Sequence, residues 1–400
     1  MITKPALIEE SSLPVKSARP SFALWNLGFR PFYLLASIFA AVSIPLWICQ
    51  YAGLVPSAFS RGSVWHAHEM LFGYTLAVIT GFLFTAVRTW TGHPTPSGAA
   101  LAAFALLWIA GRVLVLTPYD AASTIVNAAF PVAVAVGIGI PLARSGNTRN
   151  YFFIAILLLV GLLSLAVHLS YLAILDWTAL EGVQVGLDLV VFVMATMGGR
   201  VIPMFTNNGV PGAKATRHPV VEKVALASIL ALLVADLLQA SGGVLAMIAL
   251  AAAGAHAVRL YLWQPWRTLR VPMVWVLHVA YAWIVIYLAL RTFAALGLVA
   301  EPLAVHALTI GGIGGLTMGM MSRTSRGHTG RPMTADRFEV ACFLLVFCAA
   351  VIRVVGGLLL PDAYVATVIG SGICWTVGFA LFAIRYWPVL SRARLDGKPG

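Results

Sequence analysis

Charge is what this chain has least of. Only 10% of its 400 residues are Asp, Glu, Lys or Arg, against 60% hydrophobic, whereas a soluble domain carries about 25% charged residues. With a mean hydropathy of +0.91, the deficit excludes a water-soluble fold and puts the chain in a bilayer. Cysteine is nearly lacking too: Cys49, Cys342, Cys348 and Cys374 are the whole set. No two of them form C-x-x-C, which argues against a disulfide framework or an iron-sulfur cluster and leaves them as small core residues. P-loop, dinucleotide-fingerprint and C-x-x-C-H sequences are also missing. ATP-driven transport and covalent haem attachment are therefore disfavoured, while a non-covalent b-type haem stays open.

What is present is a series of apolar runs, each near the roughly 20 residues that a helix needs to cross a hydrocarbon core about 30 Å thick. Runs such as 155–165 are apolar all round, whereas a barrel strand alternates over about ten residues. The expected fold is all-α and polytopic, with spans near 29–52, 64–88, 98–117, 122–143, 150–175, 182–206, 219–241, 243–263, 271–296, 302–322, 338–360 and 363–386. All but Arg61, Arg112, Arg291 and Arg353 of the 26 Lys and Arg fall in or beside the two tails and the loops leading from even to odd helices. Opposite loops carry Asp120, Asp176, Glu181, Glu301 and Asp362. By the positive-inside rule both termini are cytoplasmic. The net charge of +12 is thus topology rather than a nucleic-acid footprint. The organisation reads as an N-terminal tail over 1–28, one twelve-helix domain over 29–386 and a C-terminal tail over 387–400, with no signal peptide in the polar first segment.

Polar residues inside the spans are not scattered. His66, His68 and Glu69 open the second span, His168 lies in the outer half of the fifth, and His306 opens the tenth. Arg112, Arg291, Arg353, Asp188 and Asp236 sit at similar depths, so the outer half of the bundle holds a polar layer. Ionisable groups in a span are costly unless paired or hydrated, and several in one layer suggest a site; the alternative is that they pair with one another or snorkel outward. His256 and His278 form a separate set in the inner halves of the eighth and ninth spans, either gripping a haem or serving as hydrogen-bonded core residues.

Positions two apart on a helix do not face each other, so His66 lies in a preceding turn or the two His of His66-Ala67-His68 serve different centres. Imidazole suits copper, zinc and iron, and Glu69 beside a metal is a candidate proton carrier. Gly311, Gly315 and Gly319 fall on one face of the tenth span, a surface for close helix packing or for a flat macrocycle held by His306. His68, Gly73 and Arg88-Thr89-x-x-Gly92-His93 are echoed by His306, Gly311 and Arg323-Thr324-x-x-Gly327-His328, which hints at a duplicated element. The basic loop 323–331 reads as a topology signal or an anion site.

At these residues the sequence resembles the NnrS family of bacterial inner-membrane proteins. The resemblance is carried by Gly28-Phe29-Arg30-Pro31-Phe32-Tyr33, by Trp65 through Gly73, by Arg200-Val201-Ile202-Pro203-Met204-Phe205-Thr206-Asn207-Asn208, and by His306 through Arg331. It implies a twelve-helix protein containing haem and copper, associated with denitrification and resistance to nitric oxide. The family's His-containing segments fall on His66, His68, His278, His306 and His328. One departure is Arg88-Thr89-Trp90-Thr91-Gly92, where the family pattern has Pro-Asn-Trp-Thr-Gly.

The resulting expectation is a haem b and copper protein of the inner membrane that binds nitric oxide and reduces it with electrons from a quinol or another donor. In it His66, His68 and His306 hold copper or share it with a haem, with His168 in reserve. Arg112, Arg291 and Arg353 pair with propionates, Glu69 relays protons, and His256 and His278 carry a second haem or are structural. Competing readings are a proton- or metal-coupled transporter and a non-catalytic protein that protects against nitric oxide. Transporters usually break their helices near the midplane, whereas the charges here lie toward the outer face.

Overall fold

The computed structural model describes residues 22–54 and 62–397; Arg61, most of the N-terminal tail and the last three residues lie outside them. Among the described residues twelve helices follow one another: α1 Phe29–Tyr51, α2 Ser63–Thr91, α3 Gly98–Leu114, α4 Asp120–Arg144, α5 Phe152–Tyr171, α6 Ala179–Gly209, α7 Pro219–Leu237, α8 Gly242–Leu262, α9 Pro272–Ala295, α10 Glu301–His328, α11 Arg337–Leu359 and α12 Tyr364–Ser391. All but α3 and α7 are both long and apolar enough to cross a bilayer. The chain is a multi-pass membrane protein.

Each expected span is met by a helix, and the largest departures lie at one end. α10 runs on to His328 and α12 to Ser391, past expected ends at 322 and 386. Hydropathy marks where lipid stops, but helix continues wherever its polar side chains find partners. Here Arg326 donates to Glu339 at 2.7 Å, Tyr386 Oη donates to the same carboxylate at 2.7 Å, and Arg385 donates to Asp336 at 2.8 Å. Asp336 and Glu339 form the capping box that starts α11, so this acidic pair both begins one helix and ties down two others. Most of the supposed 323–331 loop is therefore helix, and its Arg326 is neutralised rather than open to an anion. Both described chain ends meet at this basic end, where the Ala23 N–H donates to the Ser391 carbonyl at 2.8 Å.

α2, α6, α9 and α10 are the most deeply buried helices. α1 packs along α12 and α2, α4 along α5, and α9 along α8 and α10. Lipid gives helices no hydrophobic reason to associate, so close van der Waals fit has to do it. The α10 glycine face shows how. A Cβ on Gly311 would lie 2.3 Å from Trp283, one on Gly315 2.8 Å from Ala280 Cβ, and one on Gly319 2.9 Å from Leu277 and Val276. The face is filled by α9 and, at Gly315, by Phe347 of α11, which is the close-packing alternative of the two open from sequence.

Three helices are not α-helical throughout. α2 widens to a π-helix over Glu69–Thr75, α10 over Ala307–Gly314 and α11 over Ile352–Gly356. Such turns are rare, are frequent at functional sites, and change which side of a helix each side chain faces. The echo between α2 and α10 extends to this level, since each runs as six α residues ending in His68 or His306, then π, then α again.

Candidate functional site

The opening of α2 sends its two histidines to different places, the second of the two options open from sequence. The His66 ring stacks on Trp47 of α1 with centroids 4.5 Å apart, and lies nearly parallel to the His306 ring, 10° between planes and 6.3 Å between centroids. His306 Nδ1 donates to the Pro302 carbonyl at 2.6 Å, which fixes the ring and leaves Nε2 as its lone-pair nitrogen. Among the described residues no hydrogen bond engages the His66 ring. Both imidazoles line a cavity of about 750 Å³ at the acidic end of the bundle, within the usual 300–1,000 Å³ of a small-molecule or cofactor site.

Aromatic walls come from Trp47, Tyr74 and Trp375, and charge comes from Arg353, Arg291, Asp236 and Glu301. Arg353 belongs to the π-turn of α11; it donates to Tyr364 Oη at 2.8 Å, pairs with no carboxylate among the described residues, and lines the cavity with both rings. The three helices that carry π-turns thus bring His66, His306 and Arg353 to one cavity. Tyr74, on the cavity wall, hydrogen-bonds through its Oη to Thr317 Oγ1, joining α2 to α10.

His68 points the other way, into a closed polar chain. Glu69 is a carboxylate and only accepts, so His68 Nδ1 is the donor at 2.8 Å and Nε2 keeps its lone pair, buried without a hydrogen-bond partner. The His168 ring meets His68 edge to face at 4.9 Å. Glu69 Oε1 also accepts from Arg112 Nη1 at 2.6 Å, and Arg112 goes on to Asn127 of α4. Gly73 makes this possible, since a Cβ there would lie 2.7 Å from Arg112 Nη1. Its carbonyl, displaced by the π-turn, accepts from Trp108 Nε1 at 3.0 Å. Neither Glu69 nor Arg112 lines the cavity, and Arg112 is committed to Glu69.

The inner histidines have different surroundings. Tyr281 Oη donates to His256 Nδ1 at 2.7 Å, and His256 Nε2 donates to the Ala225 carbonyl at 3.1 Å. Tyr281 Oη in turn accepts from Arg259 at 2.9 Å, and Arg259 grips both oxygens of Glu222 at 2.8 and 2.6 Å. His278 Nδ1 donates to the Val274 carbonyl at 3.1 Å, and its Nε2 lies 3.3 Å from Thr206 Oγ1. Neither ring turns a nitrogen toward open space, so in this structure both are parts of hydrogen-bonded packing. His328 at the basic end has its ring 5.5 Å from that of Phe29, and it does not line the cavity.

With this geometry in view, the NnrS family model, described as NnrS protein, matches residues 23–394. The chain belongs to the NnrS family. No curated protein matches it. The family match spans all twelve helices, including both His pairs and the three π-turns. The sequence pattern does not single out Trp47 or Asn127, nor Gln184 of α6 and Tyr287 of α9, which lie 3.2 Å apart. A polar amide within an apolar run was the available signal for Asn127 and Gln184; nothing local marked Trp47.

The haem and copper that the family implies can be tested against these residues. A copper ion or a haem iron needs imidazole nitrogens not already spent, and His306 Nε2 and His68 Nε2 meet that condition; each is oriented by the hydrogen bond at its other nitrogen, as ligand histidines usually are. The cavity has the volume and aromatic walls that a haem requires, and its Arg353, without a carboxylate partner among the described residues, is a cation that suits a propionate. Among the described residues no group of three or more His, Cys, Asp or Glu side chains converges as a metal cage. The donors available are histidine nitrogens, His306 Nε2 beside the cavity and His68 Nε2 in the buried chain.

Proposed function

We propose that this protein is a haem- and copper-containing protein of the bacterial inner membrane that binds nitric oxide in the acidic-end cavity and reduces it. Membership of the NnrS family links the chain to nitric oxide. The observation that carries the finer reading is the near-parallel His66 and His306 pair on the wall of a 750 Å³ cavity, beside the cationic Arg353. In this reading His66 and His306 hold the metal that meets nitric oxide, Arg353 takes a propionate, and His68 with His168 forms a second, water-excluded pair oriented by Glu69. When bound, haem iron and copper supply the nitric oxide position and pass on electrons from a donor such as a quinol. Reduction to nitrous oxide and water takes up one proton for each electron, so the cavity also needs a proton source, and Glu69 does not face it.

The test is an optical spectrum of the detergent-purified protein, reduced with and without nitric oxide, alongside iron and copper analysis and a turnover assay with a quinol. A Soret band that shifts with nitric oxide, copper in the same preparation, and consumption of the gas are expected. Metal-loaded protein that binds nitric oxide without consuming it would reduce the function to protection, and absence of both metals after proper loading would overturn the reading.

A further inference from the structure

At the wall of the same cavity, two acids from different helices come together. Asp188 of α6 is only 2% exposed, the side chain of Asp236 of α7 only 9%, and their carboxyl groups lie within hydrogen-bonding reach of each other. The groups around them supply few protons. Gln184 Nε2 donates to Asp188 Oδ1 at 3.3 Å and also lies 3.2 Å from Tyr287 Oη. Arg291 of α9 donates to Asp236 Oδ1 and reaches Glu301 of α10 at 3.8 Å. Oδ2 of Asp188 and Oδ2 of Asp236 are both buried without a donor.

Two carboxylates cannot face each other at contact in an apolar surround without a proton between them. The charge count agrees, because two ionised acids against the single Arg291 leave an uncompensated negative charge, whereas one shared proton makes the group neutral. The proton then bridges the two acids. Asp236, Gln184 and Arg291 line the cavity with His66 and His306, while Asp188 lies behind them. Glu301, whose side chain is 64% exposed, stands at the acidic-end surface on the same cavity wall.

We propose that Asp188 and Asp236 hold one proton between them and release it from Asp236 into the cavity, the pair being refilled from the Glu301 side. The releasing role rests on the reductive reading above; the holding role does not. On release, the proton passes to oxygen of the nitric oxide being reduced by the quinol-derived electron, and Asp236 is left as a carboxylate on Arg291. Asp188 acts through Asp236 and is a positioning residue.

The experiment is hydrogen/deuterium difference infrared spectroscopy on the purified holoprotein and on Asp188→Asn and Asp236→Asn. The native protein at neutral pH should show the carbonyl stretch of a protonated carboxylic acid that shifts in deuterium oxide, and each variant should lose it. The amide at either position still donates to the remaining acid, so the fold is kept, as unchanged metal content and gel filtration would confirm. The native spectrum tests the idea without any variant: if that band is lacking, or survives in both variants, the shared proton is refuted. Turnover of nitric oxide with a quinol should fall at least tenfold in Asp188→Asn while the nitric oxide-induced Soret shift stays native; unchanged turnover would overturn delivery. A native protein with the band that consumes no nitric oxide would overturn the reductive function and leave the proton-holding site standing.

Discussion

Two sets of histidines, one at each end of the bundle, sit in similarly apolar helices and have opposite surroundings. His256 and His278 at the basic end have their ring nitrogens directed at protein partners, Ala225 and Tyr281 for one, Val274 and Thr206 for the other. At the acidic end His306 spends one nitrogen on Pro302 and turns the other toward a cavity that His66 shares. Residue type is alike, but His256 and His278 are fully buried while His66 and His306 are half-buried, because the neighbouring helices close on the first two rings and stand away from the others. At the basic end, Arg259 bridges α7, α6 and α9 through Glu222, Ala195 and Tyr281. At the acidic end, π-turns in α2, α10 and α11 border open space. A buried histidine is thus a ligand candidate by virtue of its unspent nitrogen, not its place in a span.

The comparison can be broken most sharply through metal content. His66→Ala and His306→Ala should each lower bound iron or copper at least about tenfold, since losing even a supporting partner of a ligand costs that much, whereas His256→Ala should keep the native content. Elemental analysis of the purified variants decides it, and full loading of both cavity variants would refute the ligand assignment. The basic end should instead respond in stability. Arg259→Met leaves Glu222 without its buried partner and should cost about 3–5 kcal/mol, seen as a lower Tm in detergent with metal per folded protein unchanged.

Between the two ends, Gly311→Ala forces a methyl to within 2.3 Å of Trp283 and should cost about 1–3 kcal/mol. If thermal melting shows no loss, the α9–α10 contact is looser than described. The smallest effect should come from Asp336→Ala, which removes the α11 cap for about 1 kcal/mol. That loss should appear in Tm and leave the nitric oxide-dependent spectrum unchanged.

Much of this was legible along the chain. Apolar run length placed twelve helices, and their misjudged ends are those where Arg326, Arg385 and Tyr386 find acids contributed by α11 and its cap. The outer polar layer was legible as well, because an ionisable residue in lipid is conspicuous against its neighbours. Glu69 shows what was not. Next to two histidines it read as a proton carrier for a metal, yet the π-turn after His68 commits it to His68 and Arg112 and keeps it off the cavity wall. A widened helical turn has no marked sequence signature, so the direction of every side chain near it escaped a reading based on regular helical spacing.

The sequence by itself determined the solvent, the number of helices and which of them carry polar groups inside apolar runs, because the hydrophobic effect acts residue by residue along the chain. Only the tertiary structure decided which of those groups meet. It set His66 beside His306, closed Tyr281 over His256 and brought Asp188 against Asp236. Each of these contacts joins residues at least 25 positions apart, and rotation of helices about their axes, set by close packing at Gly73, Gly311 and Gly315 and by three π-turns, selects the partners.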